Sequence, residues 1–174
     1  MERIGDITGI ISLLLLAVQD FRLRRIAWWL LPLLAAGIIL AFAAHNNPVH
    51  LFNFFSLNIL FLLVQFGFLF LWFFLKNKKW TRIIDEKLGL GDVLFLICMA
   101  LMFSPGNFLV VYTLSMLFAL LTSLIIRISR KGKEFEIPLA GLLALPLIFL
   151  FVVKLCYPSL DFYNDDWLSD LFRN

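Results

Sequence analysis

The sequence predicts an all-α, polytopic membrane protein of six transmembrane helices with both termini outside. Three observations carry this. The chain is 62% hydrophobic and only 16% charged, against about 45–50% and about 25% for soluble domains. Apolar runs long enough to cross a bilayer core recur along it. The basic residues gather in alternate connections between those runs, as they do in loops retained in the cytoplasm. The runs lack the strict alternation of a membrane barrel, so strands are not expected.

The first run, Ile4–Gln19, has Glu2 and Asp6 in front and three arginines behind. A secretory signal has the reverse charge order, so this reads as a retained helix. Arg22, Arg24 and Arg25 separate it from the second run, Ile26–Ala44. The loop "HNNPVH" follows and holds no Lys or Arg. The third run, Leu51–Leu75, is long enough to tilt. Lys76, Lys78, Lys79, Arg82 and Lys87 lie between it and the fourth, Leu90–Phe103, which is short for a ~30 Å core. "SPGN" carries no base and leads to the fifth run, Phe108–Ile126. Arg127, Arg130, Lys131 and Lys133 then precede the sixth, Ile137–Tyr157. Miscounting one span would destroy the alternation, so span count and charge support each other. Residues 1–157 are read as one six-helix domain. Residues 158–174 are read as an acidic extracytoplasmic tail, "SLDFYNDDWLSDLFRN", either an amphipathic surface helix or a frayed end.

Composition also excludes functions. Cys98 and Cys156 stand apart in apolar sequence and read as buried small hydrophobes. No CxxC occurs, so no metal site is expected. His45 and His50 flank a Pro-containing loop and read as plain loop residues. The basic loops are explained by topology, with attraction to anionic lipid as a secondary role; no nucleic-acid partner is indicated. A transporter or voltage sensor would need charges at mid-membrane, and none stands there.

Two acids are left at the cytoplasmic ends of helices: Asp20 closes the first and Asp92 opens the fourth. Asp6 and Lys154 lie near the outer ends of their spans, where both can reach the interface. Acids inside membranes usually face the bundle interior and mark function. Two carboxylates at one depth can meet and share a proton. One then takes the proton of a water while the other protonates a peptide carbonyl. The plainer reading pairs Asp20 with the nearby arginines and makes Asp92 a helix N-cap. Gly89 and Gly91 flank Leu90 just before Asp92 and leave room for a substrate backbone or a neighbouring helix. They form no phosphate loop, since the third glycine and the Lys-Ser/Thr ending are missing.

These stretches resemble the type IV prepilin peptidases, including the archaeal preflagellin peptidases, which are intramembrane aspartyl proteases of six core helices. "GLGD", Gly89 to Asp92, matches the family's GxGD and implies Asp92 as one catalytic acid. "DFRLRRI", Asp20 to Ile26, resembles the first-aspartate motif and implies Asp20 as the other, with Arg25 and Ile26 in support. "EIPLAGLLAL" resembles the start of the family's last helix and adds Ile137 and Pro138. Three positions depart from the pattern: Ala27 replaces a proline, Leu94 a frequent lysine, and Gly141 a second proline. The cysteine-rich insert that accompanies methyltransferase activity in larger members is missing, which implies a peptidase-only form needing no cofactor. The longer presenilin-like relatives carry a Pro-Ala-Leu motif that this chain lacks.

The resemblance implies an endopeptidase of the inner (cytoplasmic) membrane, with its active site toward the cytoplasm. Its substrate would be a prepilin-like membrane protein with a basic leader, and Asp85, Glu86, Glu134 or Glu136 could receive that charge. The competing expectation is a degenerate scaffold or secretion-complex component, its 20 phenylalanines serving packing alone. The position of the two carboxylates separates the two.

Overall fold

In lipid an apolar run must satisfy its own backbone, which a helix does internally. The computed structural model describes residues 2–24, 26–43, 48–77, 89–129, 138–157 and 159–166, and every regular element among them is helical. The helices are α1 (Glu2–Leu23), α2 (Leu30–Ala43), α3 (Pro48–Asn77), α4 (Leu90–Ala100), α5 (Pro105–Ser129) and α6 (Leu139–Cys156). Four of them, α1, α3, α5 and α6, are long and apolar enough to cross a membrane. The other two are shorter apolar helices. At 11 residues α4 is about 16 Å long.

The six described helices fall on the six expected runs, with ends displaced by up to four residues; α1 runs on past Gln19 to Leu23. The second run begins at Ile26, but α2 begins at Leu30. Residues 26 to 29 instead form a loop held across to α1, described below.

The core is centred on α1, which packs most extensively against α2 and α6. Glycines make the α1–α2 approach possible. A β-carbon on Gly5 would lie 2.6 Å from both the Ala41 nitrogen and the Gly37 oxygen. The two backbones therefore touch, which no residue with a side chain allows. Gly9 lies one turn further on and meets Gly37 in the same seam. This is the small-residue spacing by which membrane helices close on one another without water to drive them together.

On the other flank, α3 contacts α4 and α5 chiefly through its first half. Asn58 is buried and donates its Nδ2 to the carbonyls of Ala100 and Phe103, each at 2.9 Å. It thereby satisfies oxygens that the end of α4 leaves unpaired. Phe61 packs edge-on against both Phe108 and Tyr112. Beyond that cluster Phe68, Trp72 and Leu75 turn outward, as side chains facing lipid do.

At the end of the bundle away from Asp20, one expectation is corrected. Asp6 and Lys154 do not reach outward; they form a buried ion pair at 3.0 Å that ties α1 to α6. Once buried, each charge offsets part of the desolvation cost that the other would otherwise bear alone. Lys154 also lies 5.4 Å from the centre of the Phe162 ring. Phe162 belongs to the tail and is itself buried, with its ring 5.1 Å from that of Phe103 and 5.3 Å from that of Phe151. Tyr163 meets Phe42 edge-on. Asp165 accepts the backbone N–H groups of Gly106 and Asn107, both at 3.1 Å, and so caps α5. Over residues 159–165 the tail is thus a docked run of turns, and Asp166 is helical. Its remainder, with Trp167, Leu168, Leu171 and Phe172, lies outside the described residues. Of the cysteines, Cys98 is buried, but Cys156 is exposed at the end of α6 on a side turned from the core.

Candidate active site

Helix α6 starts with a deficit. Its first N–H groups have no partner within the helix. Its N-cap is Pro138, whose side chain offers no hydrogen bond. Carboxylates from two other helices fill the gap. The N–H of Gly141 donates to Asp20 Oδ2 at 2.6 Å. The N–H of Ala140 donates to Asp92 Oδ1 at 3.0 Å. Asp20 comes from the last turn of α1 and Asp92 from the first turn of α4. Successive helical residues rise only about 1.5 Å, so the two acids are held side by side. Asp92 lies within range of the Asp20 charge. The positive end of the α6 dipole faces both, which offsets part of the cost of burying them.

Local sequence places each acid. Asp20 is 6% exposed. One turn after it α1 ends at Leu23, and the next residue, Arg24, has a left-handed φ of 52° and donates its N–H to the Asp20 carbonyl at 3.0 Å. That conformation costs a non-glycine residue about 1–2 kcal/mol. On the other side Gly141 clears the space: a β-carbon there would meet Asp20 Oδ2 at 3.1 Å and the Phe21 ring at 3.2 Å. Asp92 is not the N-cap of α4. Gly89 is, and it makes no side-chain cap. Asp92 donates its own N–H to the Gly89 carbonyl at 3.0 Å, and its carboxylate also engages the Gly89 amide. The room at Gly91 is taken by Ile26, whose Cδ1 would be 3.1 Å from a β-carbon there.

Residues 7–124 match the family described as the type IV leader peptidase family. The chain belongs to that family. It is accordingly a leader-peptidase-like membrane protease. The matched stretch contains Asp20 and all of Gly89 to Asp92, and ends before α6 begins. No curated protein and no solved structure gives a significant match.

In this leader peptidase family member, Asp20, Asp92, Gly89, Gly91, Ile26 and Pro138 come together around the start of α6. Leu90 points outward, as does Leu94. Arg25 and Ile137 lie outside the described residues, as do Asp85, Glu86, Glu134 and Glu136. Two groups escaped the reading of the sequence. One is the pair of amides at Ala140 and Gly141, which leave no side-chain signature. The other is Gln19, whose Oε1 accepts the Ala27 N–H at 3.0 Å. Among the described residues no group of three or more His, Cys, Asp or Glu could hold a metal. The arrangement offers two carboxylates, one beside the other, held by consecutive amides of α6.

Proposed function

We propose that the protein is an aspartyl endopeptidase that removes the basic leader of prepilin-like precursors at the cytoplasmic face of the inner membrane. The observation that carries this is the attachment of Asp20 and Asp92 to consecutive amides of α6. The scaffold alternative needed the two acids on opposite sides of the bundle; their meeting supports the enzyme.

In the proposed reaction the pair shares one proton. The ionised member takes a proton from water, and the water oxygen attacks the scissile carbonyl carbon. The protonated member gives its proton to the carbonyl oxygen, forming a tetrahedral diol. Collapse of the diol breaks the C–N bond, and the amine leaves with a proton returned from the dyad. Backbone donors from α6 hold both carboxylates in place without taking part in the proton traffic. All six helices cross the membrane in this reading, both termini lie outside, and the three basic loops face the cytoplasm. That topology sets the dyad at the depth where a leader meets a membrane-embedded helix.

The test is co-expression with candidate precursors from the same genome, reading loss of the leader by mass. Asp20→Asn and Asp92→Asn each abolish processing while the protein still inserts and folds. Leader loss that persists in either variant refutes the dyad.

A further inference from the structure

We propose that Gln19 is a positioning residue: it clasps the α1–α2 loop and so sets how closely Asp92 stands to Asp20. The inference rests on the peptidase reading for its catalytic consequence, while the clasp itself is structural.

Gln19 precedes Asp20 on α1, and its Oε1 accepts the Ala27 N–H at 3.0 Å. Ala27 is able to donate because it is not proline. A proline would fix its own φ but bring no N–H. With alanine, the loop depends on the Gln19 bond for its course. The residue next to Ala27 is Ile26, which packs over Gly91; its Cβ would be 3.5 Å from a β-carbon placed there. Gly91 in turn precedes Asp92, which is bound to Ala140. A continuous line of contacts therefore runs from Gln19 through Ala27, Ile26 and Gly91 to Asp92. One of its ends is the neighbour of Asp20 and the other is the second acid. Releasing the clasp frees Ile26 from Gly91 and removes the stop against which the first turn of α4 rests.

The 3.5 Å spacing supplies its own reporter, since it is the separation of β-carbons in a disulfide. The Ile26→Cys/Gly91→Cys pair is introduced into a chain whose Cys98 and Cys156 are replaced by alanine, reconstituted in lipid nanodiscs. Its oxidation rate is followed under a mild thiol oxidant. Loss of one ordinary hydrogen bond corresponds to about tenfold in a local equilibrium, so Gln19→Leu slows crosslinking about tenfold. Gln19→Glu, which keeps the acceptor oxygen, retains the rate. With Ile26 and Gly91 unchanged, Gln19→Leu lowers the cleavage rate of a prepilin-like precursor with a basic leader about tenfold at equal amounts of folded protein, and Gln19→Glu retains it. An oxidation rate indifferent to Gln19→Leu overturns the clasp. A clasp-dependent oxidation rate with cleavage undiminished in Gln19→Leu overturns the positioning role. If the unsubstituted chain cleaves no precursor at all, the peptidase reading and the catalytic role fall together, and the oxidation rate still decides the clasp.

Discussion

Adding one methyl group at Gly141 separates stability from activity. In Gly141→Ala the helix gains about 0.5–1 kcal/mol of conformational preference. Against this, the new carbon stands 3.1 Å from Asp20 Oδ2 and 3.2–3.3 Å from two carbons of the Phe21 ring. Phe21 is largely exposed and can swing away. The carboxylate cannot move so freely, because the group it is bonded to is the amide of the same residue. It must retreat by a few tenths of an ångström and lengthen a 2.6 Å bond. The stability terms nearly cancel, so the melting temperature in detergent stays the same or rises slightly. Misplacing a reacting group by 1 Å costs up to about 100-fold, so a shift of a few tenths lowers the cleavage rate by about 3–10-fold, or about 0.7–1.4 kcal/mol. The assay is the initial rate of leader removal at fixed amounts of folded protein, beside a thermal melt. An undiminished rate, or a rate that falls only with the folded fraction, refutes the claim that α6 sets the position of Asp20.

Two further perturbations probe the scaffold. Asp6→Asn leaves Lys154 buried without its counter-charge and destabilises the fold by about 3–5 kcal/mol; the Asp6→Leu/Lys154→Met pair recovers most of that in a thermal melt. Gly5→Ala forces α1 and α2 apart and costs about 1–3 kcal/mol, whereas Gly67→Ala, with nothing within 4 Å of the added carbon, is neutral or slightly stabilising in the same measurement.

The helices were legible because lipid imposes length and apolarity on any segment that crosses it. The meeting of Asp20 and Asp92 was legible for a related reason: acids are so costly among such helices that two at one depth invite pairing. What supports them was not. Ala140 and Gly141 act through backbone N–H groups, which every residue but proline carries, so their role depends wholly on where α6 begins. Pro138 marks that start but not what the first turn binds. The Asp6–Lys154 pair joins residues from opposite ends of the bundle's sequence, and each alone reads as an interfacial charge. Gly5 and Gly9, four apart in an apolar helix, did carry a readable signal for close helix contact. The turned tail was hidden because Phe162, Tyr163 and Asp165 each pack against a different element.

The origin of the two amides has a consequence for how the protein is made. The chain emerges from the ribosome with α1 first and α6 last. Asp20 and Asp92 both enter the bilayer before the α6 amides that hold them together exist. Nascent chains that have released only the first five helices carry both acids without the group that brings them together. On the proposed mechanism, proteolytic competence is therefore timed to the arrival of α6, and precursor proteins made alongside the nascent enzyme meet an unassembled site.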